Sequence, residues 1–254
     1  NTGKLTFWGQ VESYFIADIM SNVAGNSGGG IFNSSSGDLY IYGHDMDISV
    51  FSNTAERGSG GAIYSAADFV AYHVYVAGNS AVNGNGGGIA VNGGTGETIM
   101  IWVDVAGNRA GNGGGISYEQ GNSLSLYNCR VDSNTALQDG GGIYFVHNSG
   151  HLKMDVTPTS GILMPDGKYV GVANIENSVS GNEAVNGSGG GLYIGYSGDV
   201  SFFLANIDNN FAYVDGGGIY MANAGDLALE DSELSFGRAG TGDGGGIWYD
   251  GGGD

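Results

Sequence analysis

Apolar positions in this chain do not follow a helical period. Short alternations such as Leu124-x-Leu126, Val200-x-Phe202 and Leu227-x-Leu229 are broken every few residues by glycine and asparagine. That pattern predicts short strands joined by tight turns. Over a longer range one motif recurs: an aliphatic residue, two others, Asn, any residue, Ala, a short variable stretch, then Gly-Gly-Gly and Ile. Eight copies occupy 19–31, 50–63, 76–89, 105–116, 131–143, 179–192, 207–219 and 234–247. The closing residue falls at Ile31, Ile63, Ile89, Ile116, Ile143, Leu192, Ile219 and Ile247, in steps of 32, 26, 27, 27, 49, 27 and 28 residues. A unit of about 27 residues, with one insertion of about 22, indicates a solenoid, because propeller blades are longer, at about 40 to 50.

The predicted architecture is an all-β parallel β-helix, a β-solenoid of about eight rungs with about 27 residues per rung. Equivalent positions of stacked rungs form columns. The motif's Ala column is complete: Ala24, Ala55, Ala81, Ala110, Ala136, Ala184, Ala212 and Ala239. The Asn column, Asn22, Asn53, Asn79, Asn108, Asn134, Asn182 and Asn210, fails only at Gly237. Stacked amides can hydrogen-bond along such a column, so these asparagines are expected to be a structural ladder. The chain 1–254 is expected to be a single solenoid domain with an inserted loop at about 147–172, where both prolines, Pro158 and Pro165, fall together with Lys153, Lys168, His147 and His151. Such an excursion is expected to protrude and to be removable.

Gly-Gly-(Gly/Ala)-Ile with an upstream apolar-x-x-Asn, across 19–249, resembles the repeat of the polymorphic outer-membrane proteins. It is also similar to the glycine-rich repeats of many secreted β-helix proteins. The resemblance implies a right-handed coil and a surface adhesin, hence an extracellular or cell-surface location.

Composition removes other classes. Of 254 residues 52 are glycine and only 2 proline, with no three-residue period, which excludes collagen. A formal net charge of −19 leaves no basic patch for nucleic acid, and no apolar run approaches a membrane span, so neither nucleic-acid binding nor membrane insertion is expected. Cys129 has no second cysteine to pair with, which leaves the redox compartment open.

Candidate chemistry is sparse. Parallel β-helices also host polysaccharide lyases and glycoside hydrolases, which need paired carboxylates or a carboxylate-bound metal with a base. The string Gly43-His44-Asp45-Met46-Asp47 comes nearest to a catalytic cluster, but it is read as a polar turn in an early rung. Gly25-Asn-Ser27-Gly-Gly29 matches a serine elbow without its strand-to-helix context. Acidic residues recur at two places in the unit: Asp38, Asp68, Glu97, Asp199 and Asp226 before the second strand, and Asp139, Asp215 and Asp243 before the glycines. Bridged columns of this kind would suit Ca²⁺; unbridged, they are a solvated acidic surface, and no other cofactor is implied.

Tyr144, Tyr193, Tyr220 and Trp248 follow the Ile column in the last rungs and form an expected outward stripe, preceded by Phe32 and Tyr64 and interrupted at Ala90 and Ser117. Such a stripe serves a sugar or protein partner, or only the stacking itself. Sequons at Asn33 and Asn186 are candidate glycosylation sites. The first residues, with Leu5-x-Phe7, match the second strand of a rung, whereas Ile247–Asp250 match a first strand. Copies stacking end to end in a filament, or a window from a longer solenoid, are the two expectations. The function expected from sequence is a non-enzymatic extracellular structural or adhesive solenoid, partnered by itself or by a neighbouring surface protein or glycan. A carbohydrate-active enzyme is the alternative.

Overall fold

The computed structural model describes residues 3–8, 17–35, 37–43, 48–147, 150–157, 161–163, 169–170 and 175–251. His44–Asp47, Pro158, Pro165 and Lys168 lie outside this set. Every regular element among the described residues is a β-strand, and apart from one short antiparallel pair all of them run parallel in three stacked sheets. The chain is a β-solenoid of about eight turns.

Each rung opens with the first sheet, whose eight strands follow the glycine triplets: Ile31–Asn33, Ile63–Ser65, Ile89–Asn92, Ile116–Gln120, Ile143–Val146, Leu192–Gly195, Ile219–Ala222 and Ile247–Asp250. The chain then enters the 14-stranded second sheet, which has two legs. Phe69–Ala77 and Glu97–Ala106 run through both legs as one strand, bent at His73 and Trp102, which have φ of 52° and 56°. A short third sheet of two-residue strands carries the Ala column and returns the chain to the next glycines.

Register confirms the column assignment. Ile89 pairs with Ile63 and Ile116, Ile143 with Leu192 across the 49-residue step, and Ile219 with Ile247. From Ile63 to Ile219 these side chains are fully buried, as are Ala55 to Ala212 to within 1%. They join Val50, Val76, Val105, Phe145, Phe202 and Met221 in one continuous core. Each fully buried aliphatic or aromatic side chain contributes about 1.5–3 kcal/mol, and a one-residue slip would turn the whole inward set outward.

The three glycines of the triplet answer to three different constraints, seen in the fifth rung. Gly140 has φ +65°, a left-handed conformation that turns the chain into the first sheet. Gly141 lies against the next rung: a Cβ there would stand 2.3 Å from the Gly190 carbonyl oxygen. The third position is less tight: a Cβ on Gly142 would stand 2.7 Å from the Gly191 carbonyl oxygen and one on Gly30 3.1 Å from the Ala62 oxygen, and Ala62 itself occupies this column in the second rung.

The insertion is placed differently from the expected 147–172. His151–Asp155 is an ordinary second-sheet strand, paired in parallel with Ser123–Tyr127 and Val200–Phe203. The extra residues therefore fall at 156–176, between that strand and Asn177–Ser180. They include an antiparallel pair, Ile162–Leu163 with Tyr169–Val170. Ile162 packs against an outer apolar cluster of Tyr40, Tyr42, Val70 and Ile101, joined by Tyr72, Ile99, Trp102 and Tyr127. Among the described residues of the excursion, Ile162 thus lies against the first leg of the second sheet. Replacing 158–174 by a short glycine-serine link is expected to preserve the β-sheet circular dichroism while uncovering this cluster, read as dye binding and lower solubility. Complete unfolding of that variant would make the excursion part of the core.

Candidate functional site

Two side-chain ladders run the length of the coil in opposite directions. In the Asn column the backbone N–H of each rung donates to the Oδ1 of the next rung's Asn, from Asn22 to Asn53 through to Asn182 to Asn210, at 2.8–3.0 Å. Each Nδ2 donates forward to the same Oδ1, and from Asn53 onward it also donates back to the carbonyl of the preceding rung's aliphatic residue, as Asn134 does to Val105 at 2.9 Å. Asn53 to Asn210 are at most 1% exposed, so the ladder satisfies backbone groups that water does not reach. The residue before each Asn is left-handed, whether Ser133 at φ 57°, Gly107 at 63° or Asn209 at 52°, and this aims the amide along the stack.

The second ladder was only partly visible as acidic residues. The position before the glycine triplet is Ser27, Ser59, Asn85, Asn112, Asp139, Ser188, Asp215 and Asp243. Each side-chain oxygen accepts the backbone N–H of its successor, at 2.7–3.3 Å over seven consecutive steps. What the position requires is a short acceptor rather than a charge, and in every copy it holds Ser, Asn or Asp. Ser27 of the serine-elbow match is its first rung.

Several of the acidic positions proposed for calcium accept hydrogen bonds from the neighbouring rung. Asp68 Oδ1 accepts the N–H groups of Thr95 and Gly96, both at 2.8 Å, and Asp199 Oδ1 that of Asp226 at 3.1 Å. Glu97 accepts from the Ser125 hydroxyl, and Asp38 lies beside the Tyr40 hydroxyl at 3.5 Å. Asp215 accepts from Asp243, whereas Ser188 separates Asp139 from Asp215. Burial raises the Asp139 carboxyl above its ordinary range, opposed by its hydrogen bond from Ser188. Among the described residues no three His, Cys, Asp or Glu side chains gather at metal-binding distance. With backbone N–H groups already bound to Asp68, Asp139, Asp199 and Asp215, melting curves in chelator and in millimolar calcium are expected to coincide; a clear rise in Tm with calcium would show bridged columns.

The outer aromatic column is present and stacked. Tyr144–Tyr193, Tyr193–Tyr220 and Tyr220–Trp248 have centroid separations of 5.2, 4.8 and 4.5 Å and interplanar angles of 21°, 16° and 7°. Phe32–Tyr64 repeats the arrangement at 5.3 Å in the first rungs. Each pair contributes about 0.5–1.5 kcal/mol beyond its buried area. Because inner rings spend both faces on their neighbours, the column offers a partner ring edges and a row of phenols rather than a stacking platform.

Burial holds the Tyr193 phenol at about 12, with nearby acids adding to the effect, and the inward Tyr118 also at about 12. Both values lie above the ordinary 10.0, so the folded chain holds these protons after the unfolded chain has released them. That stabilising contribution is complete below pH 10 and is lost as pH rises towards 12. Phenolate absorbance is expected to titrate in two classes, with Tyr193→Phe diminishing the upper one. A single class near the ordinary value would contradict the burial.

At the interruption of the column lies a hollow of about 550 Å³, bordered by Gly93, Gly94, Glu119, Gln120, Gly121, Val146, His147 and Tyr196. It sits where four successive rungs turn from the first sheet into the second. Three of its lining residues are glycines in conformations that L side chains rarely adopt. Gly93, Gly94 and Gly121 have φ of +153°, +99° and +148°, and a Cβ on Gly121 would stand 2.1 Å from Tyr118 Oη. Glu119 Oε1 accepts from Asn85 Nδ2 at 2.7 Å and from the Ser117 hydroxyl at 2.8 Å, a bridge over the two small residues that break the aromatic column. Tyr118, beneath, donates to the Ser123 carbonyl at 3.1 Å, stacks on Phe145 and meets His147 edge-on. The His147 Nδ1 is buried with no hydrogen-bond partner among the described residues. Tyr196 stands at φ 52° and is 58% exposed.

Cys129 is buried, and desolvation pushes its thiol up to about 12, away from the thiolate form. Of the two sequons, Asn33 is 8% exposed with its amide donating to Gly37 and Ser65, while Asn186 is exposed. Among the described residues no helix is long and apolar enough to cross a membrane. Comparison with protein-family models, curated proteins and solved structures finds no match to this chain.

Proposed function

We propose that the chain is a non-enzymatic, extracellular structural and adhesive solenoid whose rung faces stack end to end into a filament. The observation that carries the reading is the repetition of the rung itself: the Asn column and the Ser/Asn/Asp column hand the same hydrogen-bond pattern from one rung to the next, so that each rung is a template for another of its kind. A rung of this kind presents strand edge, and another such rung is complementary to it in register. The extracellular assignment follows the likeness of the repeat to those of secreted β-helix proteins.

Against an enzyme, the recurring Asn, Ser/Asn/Asp, Ala and glycine columns of the unit are accounted for by stacking. Glu119 is the one carboxylate among the described residues lining the hollow, and glycoside hydrolysis uses two. Sedimentation and electron microscopy of the intact chain test the filament: the expected result is concentration-dependent growth along one axis, and a monodisperse monomer at all concentrations would overturn it. Release of reducing ends or unsaturated sugars from a polysaccharide panel would favour the enzyme instead.

A further inference from the structure

We propose that the hollow between Glu119, His147 and Tyr196 is a binding site for a neutral saccharide, with Tyr196 as its stacking surface. The proposal rests on the adhesive part of the function above and gives it a ligand class.

The hollow is a feature of the backbone. Left-handed glycines in two consecutive rungs, at Gly93, Gly94 and Gly121, lower the floor, while His147 and Tyr196 in the next two rungs supply side chains at its border. A volume of about 550 Å³ lies within the range of small-molecule sites. The polar groups are of mixed kind: a carboxylate acceptor at Glu119, an amide at Gln120, an imidazole at His147 and a phenol at Tyr196. Vicinal hydroxyls, each both donor and acceptor, match such a set. Both hydrogen bonds described for Glu119 fall on Oε1, which anchors the side chain and leaves Oε2 without a described partner.

Tyr196 differs from the stacked column. Among the described residues it takes part in no ring contact and it is 58% exposed, so its face is offered to the C–H surface of a sugar ring, which the inner members of the Tyr144–Trp248 stack cannot offer. Charge narrows the class further. The chain carries −19, and Glu119 is the charged group among the described lining residues, so uronates, sulfated sugars and phosphates are repelled.

The test is saturation-transfer NMR on the full chain with cello-, malto-, xylo- and galacto-oligosaccharides, with oligogalacturonate as anionic and chitosan fragments as cationic comparison. Two variants locate the site. Glu119→Gln keeps an acceptor for Asn85 and Ser117 while removing the charge. Tyr196→Asn removes the ring with a residue that tolerates the left-handed backbone. The expected result is transfer to at least one neutral oligosaccharide, weakened about tenfold or more in each variant with unchanged circular dichroism. Binding that is unaffected by both substitutions, or confined to chitosan or oligogalacturonate, would overturn the proposal. Absence of any neutral binding in a chain that still coats cells would overturn the site and leave adhesion to a protein receptor. Neutral binding by a chain that coats nothing would leave the site standing without the adhesive role.

Discussion

Gly141→Ala is expected to destabilise the chain by more than about 4 kcal/mol, to the point of preventing folding of the rungs on either side. The added Cβ would lie 2.3 Å from the Gly190 oxygen, 2.5 Å from the Glu183 carbonyl carbon and 2.6 Å from the Glu183 nitrogen. All three are backbone atoms of the next rung, fixed by the pairing of Thr135–Ala136 with Glu183–Ala184 and by the ladders beside it. No rotamer change relieves that clash, so the rungs must part. Because rungs contact only their neighbours, parting at one level divides the stack into two shorter ones. Gly25→Ala, with nothing within 4 Å of the added atom, is the control and should melt as the parent does. Equal denaturation midpoints for Gly141→Ala and Gly25→Ala would show that the rungs are not in van der Waals contact at the glycines.

Asn134→Ala is expected to cost about 3–5 kcal/mol, an effect second only to the glycine clash. The side chain is fully buried and takes part in four hydrogen bonds: two accepted from Asn108, one donated to the Val105 carbonyl and one to Asn182 Oδ1. Its removal leaves the Asn108 backbone N–H without an acceptor in a place water does not reach, and a buried unpaired donor costs about 1–3 kcal/mol by itself. Asn22→Ala, at the exposed end of the same ladder, should cost under about 1 kcal/mol because solvent replaces what is lost. Equal costs at Asn22 and Asn134 in guanidinium unfolding would mean that the column is decorative.

Much of this arrangement was legible from the residues alone, because each column repeats one chemistry. Ile31 to Ile247, Ala24 to Ala239 and Asn22 to Asn210 mark the same place in each rung, and the structure pairs them in register. The aromatic column and its interruption at Ala90 and Ser117 were equally plain, although the sequence does not reveal that the rings close on one another's faces. The ladder from Ser27 to Asp243 was missed because its members differ in charge while sharing an acceptor oxygen two or three bonds from the backbone. Reading Asp139, Asp215 and Asp243 as charges concealed Ser59, Asn85, Asn112 and Ser188 at the same place.

The insertion was misplaced for a related reason. His-Leu-Lys-Met-Asp at 151–155 alternates like any strand, but its lysine and histidine resemble loop composition, and no glycine or asparagine motif marks that leg of the rung. The hollow at Glu119, His147 and Tyr196 escaped detection because it belongs to corners whose length varies from rung to rung. Its only advance signal was the pairing of Gly93-Gly94 with Gly121 one turn later.

Disulfide trapping between positions 144 and 193 tests the central claim most directly, namely that rungs stack in register even across the insertion. These residues are 49 apart in sequence yet paired across adjacent strands. In-register neighbours have Cα atoms about 4.8 Å apart, within reach of a disulfide. The double variant Tyr144→Cys with Tyr193→Cys, in a chain whose one native cysteine, Cys129, is buried, is expected to oxidise completely without loss of β-structure. The offset pair Tyr144→Cys with Ile194→Cys, on opposite faces of the sheet, is expected not to cross-link. Efficient closure of the offset pair, or failure of the in-register one, would contradict the stacked solenoid.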